Sequence, residues 1–224
     1  MKAHSCLAMS LWLLATMFTC DGGSAAVSDL TRRTSPFDQL QNVCLGMTSG
    51  DLSRARPLAR PAPYLGYDER VGDYRIDYEF PGSYSEEQVV PKRSRLREVT
   101  AVREFSSTRE VAAAWQEKVQ DMARRLGGAP ECFNVVRGGR HGALAVWNQG
   151  EVTVRTEFLE SYVSRSVGRE IRNPALLLVQ IESPGRLAKW WKQTKSENTT
   201  GVSITPPCGL LPRRDRCNVR CTNG

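Results

Sequence analysis

Histidine is almost missing from this chain: of 224 residues only His4 and His141 carry an imidazole, and His4 lies in the leader-like first segment. Acid–base or nucleophilic chemistry built on histidine therefore has one candidate, His141. It stands between Arg140 and Gly142 with no nucleophile motif beside it, the setting of an exposed turn residue. Gly-x-Ser-x-Gly, His-Glu-x-x-His, Walker-type and Gly-x-Gly-x-x-Gly patterns are missing as well. The glycine-rich stretch Gly138-Gly139-Arg140-His141-Gly142 runs into a strand pattern, so it offers no helix N-terminus to a phosphate. There is no Cys-x2-Cys, which argues against zinc. We assign no catalytic residue, no cofactor and no metal ligand from these patterns.

Long apolar runs are also lacking. The apolar stretch Leu7–Phe18 spans twelve residues without a charge, short of the roughly 20 that a membrane-spanning helix needs. With Lys2 before it and Ser24-Ala25-Ala26 after it, the stretch has the pattern of a cleaved signal peptide over residues 1–26. The expectation is an exported protein, periplasmic or extracellular. A second reading stays open, because Cys20 follows the apolar run as the lipidated cysteine of a lipoprotein does. Cleavage before Cys20 would anchor the domain to a membrane, and cleavage after Ala26 would release it.

Export gives the cysteines their meaning. Cys44, Cys132, Cys208, Cys217 and Cys221 remain beyond residue 26, and outside the cytoplasm disulfides are the default. Five is odd, so at least one thiol is left over or pairs between chains.

The net charge of +7 is concentrated late. Between Ser183 and Gly224 eight basic residues face two acidic ones, Glu197 and Asp215. On an exported protein such a stretch meets anionic lipid, wall polymers or acidic partners rather than nucleic acid. Lys189-Trp190-Trp191-Lys192 has the aromatic and lysine mixture of a peripheral membrane contact, and packing of both indoles back on the domain is the alternative.

Residues 27–42 are polar and read as a linker, residues 43–185 as the domain and residues 186–224 as a basic, cysteine-bearing tail. Thr48 with Asp51 is a capping box opening a short helix that Pro57 stops, and Pro57, Pro61 and Pro63 mark a loop. Tyr74–Phe80 alternates apolar and polar residues as a half-buried strand does, and Leu96–Phe105 reads as a second strand. Ser107-Thr108-Arg109-Glu110 opens a long helix whose apolar stripe is Val111, Trp115, Val119, Met122 and Leu126. Gly127-Gly128 and Pro130 end it.

Strands follow at Phe133–Val136, Ala143–Trp147 and Val152–Leu159, then a polar loop or marginal helix over Ser161–Asn173, then the most apolar strand at Ala175–Ile181. The order predicts an α+β fold: an antiparallel sheet of five or six strands with two helices packed on one face.

Carboxylate pairs leave no local signature, so a secreted hydrolase with two acids on the sheet face is the alternative function. Its candidates are Asp73, Asp77 and Glu79, or Glu86 and Glu87.

The segment Gly46-Met47-Thr48-Ser49-Gly50-Asp51-Leu52 resembles the Gly-Met-Thr-x-x-x-Val/Leu helix opening of small exported envelope proteins. These are the outer-membrane assembly lipoproteins of the SmpA/OmlA type and the related β-lactamase-inhibitor-like repeats. The resemblance implies a helix packed on a small antiparallel sheet and protein binding without catalysis. The expected function is a non-catalytic binding or structural role in the cell envelope, the partner being an envelope protein or an anionic surface.

Overall fold

The computed structural model describes residues 39–40, 42–62, 66–81, 90–149, 152–166, 169–183 and 202–205. Helix α1 (Ser49–Ala55) starts as its cap dictates: the Thr48 hydroxyl accepts the Asp51 N–H at 3.1 Å, and the Asp51 carboxylate accepts the Thr48 N–H at 3.2 Å. Leu52 is fully buried, and Met47 packs against the same cluster.

Helix α2 (Thr108–Leu126) is capped by the Ser107 hydroxyl, which accepts the Glu110 N–H at 3.2 Å, and ends at Gly127 in the left-handed conformation with φ 76°. Val111, Trp115 and Met122 are buried while Val119 and Leu126 pack at the margin, so the stripe is the core face of the helix.

Eleven strands are described. β1 (Arg60–Ala62), β2 (Gly66–Val71), β3 (Tyr74–Glu79), β4 (Glu98–Phe105), β5 (Glu131–Arg137), β6 (Arg140–Gln149), β7 (Val152–Leu159) and β10 (Ala175–Glu182) form one sheet in the order β1-β2-β3-β4-β10-β7-β6-β5. A ninth strand, β11 (Val202–Thr205), extends it beyond β5. Every neighbouring pair is antiparallel. β8 (Tyr162–Ser166) and β9 (Arg169–Asn173) pair only with each other.

The α+β class and the antiparallel sheet with two helices agree with expectation. The sheet is larger than the five or six strands expected. β1 falls within the stretch read as a loop from Pro57, Pro61 and Pro63, and β2 went unread because its core-facing positions are Tyr67, Glu69 and Val71, where the acid in the middle breaks the apolar alternation. Ser161–Asn173 is not a loop or marginal helix but the β8–β9 hairpin. Both its faces meet solvent, so no hydrophobic period marks it. Ala175–Ile181 is the middle strand of nine, flanked by β4 and β7.

Both helices contribute to one hydrophobic core on one side of the sheet. Leu52 of α1 and Val111, Trp115 and Met122 of α2 meet Ile76, Tyr78, Val99, Ala145, Val154, Phe158, Leu177, Val179 and Ile181. The Trp115 indole N–H donates to the Thr156 carbonyl at 3.1 Å, and its ring meets Phe158 edge-on at 5.4 Å. Leu40, within the stretch read as linker, is buried in the same core, and β11 lies within the stretch read as tail. Gly138 and Gly139, φ 56° and 76°, make the two-residue turn between β5 and β6, so His141 is an exposed residue on β6 rather than in the turn.

Candidate functional site

Strand periodicity puts a second set of side chains on the face of the sheet away from the helices. On β3 these are Arg75, Asp77 and Glu79, and on β4 Glu98, Thr100, Val102 and Glu104. On β10 they are Leu176, Leu178, Gln180 and Glu182, and on β7 Thr153, Arg155, Glu157 and Leu159. Register brings Glu79, Glu98 and Glu182 side by side on three adjacent strands. Like charges directly opposite one another destabilise a sheet. Here each has a neutralising or donating neighbour: Arg97 on Glu79 at 3.2 Å, the Thr100 hydroxyl on Glu98 at 3.0 Å, and the Gln180 amide on Glu182 at 3.4 Å.

The adjacent row carries Asp77, Thr100, Gln180 and Arg155. Arg75 pairs with Asp77 at 3.1 Å, and Arg155 donates to Gln180. Burial pushes the Asp77 carboxyl above its ordinary range, with Arg75 pulling the other way.

Toward β5 and β6 the same face becomes apolar, with Val135, Leu144, Val146 and Leu159 buried and Phe133, Leu176 and Leu178 beside them. Glu157 is set into this patch at 2 % exposure and meets Arg137 at 3.3 Å. Its second carboxylate oxygen, Oε1, and the Arg137 Nε are both buried without a hydrogen-bond partner among the described residues. Of the acids named from sequence, Asp77 and Glu79 belong to this face. Asp73 does not: it sits in the β2–β3 turn, exposed and paired with Arg103 at 3.2 Å. Glu86 and Glu87 lie outside the described residues. Glu98, Glu157 and Glu182 were missed, because only strand register brings them into line with the others.

The second feature is the β8–β9 arm. Tyr162, Val163 and Ile171 are 38 %, 52 % and 49 % exposed, three of the four large apolar side chains left in solvent among the described residues. Register sets Tyr162, Ser164, Ile171 and Asn173 on one face and Val163, Glu170 and Arg172 on the other. Arg140 holds the root of the arm: its Nε donates to the Glu160 carbonyl at 2.8 Å before the arm, and its Nη2 donates to the Pro174 carbonyl after it. Its guanidinium also lies 5.9 Å from the centre of the Tyr162 ring. Thr108, in the first turn of α2, adds a contact to Ser161 at 3.2 Å. The entry and exit of the arm are thereby fastened to the sheet and the helix.

A groove of about 450 Å³ lies between α2 and the sheet, lined among others by Tyr74, Arg103, Glu117, Asp121 and Arg124. Arg103 stacks near Phe105 at 4.8 Å and Tyr74 at 5.9 Å, and the lining charges are of both signs.

Cys44 is disulfide-bonded, Cys132 is buried in the core, and no disulfide joins two of the described cysteines. Cys20, Cys208, Cys217 and Cys221 lie outside the described residues, as do Lys189, Trp190, Trp191 and Lys192. Among the described residues no group of three or more His, Cys, Asp or Glu is arranged to hold a metal ion, and no helix is long and apolar enough to cross a membrane. No family model, curated protein or solved structure matches the chain.

Proposed function

We propose that this protein is an exported, non-catalytic binding domain of the cell envelope, and that the β8–β9 arm is the element that meets its partner. The observation that carries this reading is the exposure of Tyr162, Val163 and Ile171 on a hairpin whose root Arg140 fastens. A two-stranded ribbon that buries neither face adds little to the stability of the domain. Covering a large apolar side chain is worth about 1.5–3 kcal/mol, so the arm has much to gain from a partner and little from the rest of the chain. Arg165, Arg169 and Arg172 against Glu170 make the arm basic and favour a partner surface that is acidic around an apolar centre. Export rests on the leader pattern of residues 1–26, and the arginines after Thr205 support attachment to an anionic surface.

The test is a double substitution, Val163→Ser with Ile171→Ser, in the full chain, compared with the natural sequence in quantitative capture from the native envelope. Circular dichroism and the thermal midpoint should stay unchanged while at least one protein captured by the natural chain is lost. Equal capture by both chains would sink the role of the arm. The tail is tested separately by truncation after Thr205, which spares β11.

A hydrolase remains the second reading because Glu79, Glu98 and Glu182 stand on adjacent strands, where paired Cα atoms are about 4.5–5.5 Å apart. Their engagement with Arg97, Thr100 and Gln180 weighs against it, since a general acid and a nucleophile need differently tuned, accessible carboxyls.

A further inference from the structure

The arm has edges as well as faces, and one edge carries a pattern of its own. Among the described residues β8 and β9 pair only with each other, so each turns alternate N–H and C=O groups to an edge that no described strand fills. Such edges invite pairing with another chain, and proteins blunt them with proline or charge. Pro61 does so in β1, an outermost strand of the large sheet, where it has no N–H to offer. β9 reads Arg169-Glu170-Ile171-Arg172-Asn173; it has no proline, and Arg169 to Arg172 are all exposed. Charge is its guard, and the order of the charges decides which partner is kept away.

A strand that joins its own copy through one shared edge runs antiparallel to it about a two-fold axis. The axis falls at a residue, because backbone groups alternate along the strand and only residues of the same phase can stand opposite one another. In β9 an axis at Arg169, Glu170 or Arg172 sets a charge against itself, and an axis at Asn173 sets Arg172 against Pro174. An axis at Ile171 does the opposite. Ile171 meets Ile171 of the second copy, Glu170 meets Arg172 twice, and Arg169 meets Asn173. Unlike charges directly opposite stabilise a ladder and like charges weaken it. β8 has no such register: an axis at its middle residue, Ser164, sets Val163 opposite Arg165.

We propose that the open edge of β9 is a dimerisation edge whose occupant is β9 of a second copy of this chain, with the two-fold axis at Ile171. The two arms then form one four-stranded ribbon, which removes the weakness of an isolated two-stranded one. Ile171, 49 % exposed in the single chain, gains an apolar neighbour. The root of each arm lies beside the far end of the other, so the two domains sit at opposite ends of the ribbon. Five paired residues fall short of the roughly 1,200 Å² that stable complexes bury, so the dimer forms and dissociates with concentration. The edge and the faces of the arm are separate surfaces, and the dimer stands apart from capture of an envelope component.

Sedimentation equilibrium of the purified full chain over a concentration series tests it. The natural chain should show a reversible monomer–dimer equilibrium. Glu170→Arg and Arg172→Glu, each alone, put like charges opposite and should weaken association at least tenfold. An equimolar mixture of these two variants rebuilds both unlike pairs and should associate as the natural chain does. A natural chain that stays monomeric throughout, a dimer that persists in both single variants, or a mixture that fails to recover would overturn the proposal.

Oxidative trapping supplies a second readout. Cα atoms facing each other across an antiparallel ladder lie about 4.5–5.5 Å apart, within disulfide range. Ile171→Cys should therefore link two copies through position 171 at least ten times more than Val163→Cys, a site of similar exposure on β8 away from the shared edge. Equal linking by the two variants would sink the axis at Ile171.

Discussion

Arg56 grips Glu69 with two guanidinium nitrogens, Nε at 2.7 Å from Oε1 and Nη2 at 3.0 Å from Oε2, while the Tyr78 hydroxyl donates to the same carboxylate. Glu69 has only 2 % of its side chain exposed, so the pair ties the end of α1 to β2 inside the core. Burial pushes the Tyr78 hydroxyl far above its ordinary range, with Glu69 adding to the effect, so the phenol stays protonated and remains a donor.

Removing one partner of a buried, hydrogen-bonded ion pair leaves the other charge without compensation, which costs about 3–5 kcal/mol. Arg56→Ala should lower the free energy of urea unfolding by about that amount. Arg54→Ala removes an ion pair with Asp51 whose arginine is 67 % exposed and should change stability by about 0.5 kcal/mol or less.

The two aspartates Asp77 and Asp51 should give opposite pH dependences. Burial holds the Asp77 carboxyl above 3.8, so the folded state binds its proton more tightly than the unfolded state does. Its contribution therefore falls as pH rises from 3.8 through the raised folded value. Asp77→Asn should be more stable than the natural chain above that window and equal to it below. The hydrogen bond from the Thr48 side chain holds Asp51 below 3.8, with smaller help from the Thr48 backbone and Arg54. Its contribution is present above 3.8 and is lost as pH falls through the lowered value. Asp51→Asn should therefore be destabilised at neutral pH and match the natural chain in strong acid. Urea titrations from pH 2 to 8 check both.

Gly142 on β6 pairs with Leu159 on β7, and a Cβ there would stand 1.9 Å from the Phe158 carbonyl oxygen. Backbone cannot swing aside as a side chain does, so Gly142→Ala must part the two strands. We expect a loss of about 3 kcal/mol or more, at the upper end of overpacking effects. Gly128→Ala meets nothing within 4 Å and should stay within about 1 kcal/mol. Thermal unfolding of the two variants side by side makes the comparison.

Local signals in the sequence were reliable wherever one face of an element is apolar and the other polar. Tyr74 to Phe80, the stripe from Val111 to Leu126 and the strand Val152–Leu159 show their period because each turns its apolar positions to the core beneath the helices and its more polar positions away from it. The caps at Thr48 and Ser107 were equally legible, since a hydroxyl and an N–H three residues apart need nothing beyond the segment itself. The signal failed where that contrast is absent. The arm from Tyr162 to Asn173 is exposed on both faces, and β2 carries Glu69 inward, an acid that only Arg56 and Tyr78, brought in from α1 and β3, make tolerable there.

The sequence by itself determined the two helices, their ends, the apolar strands and the α+β class, because these follow from contacts within a few residues. Tertiary structure alone decided that the sheet runs to nine strands and that Glu79, Glu98 and Glu182 share a row. It also decided that Arg140 fastens an arm between Glu160 and Pro174. Each of these depends on register between strands distant in the chain, and register comes from how the sheet closes around the core rather than from any local pattern.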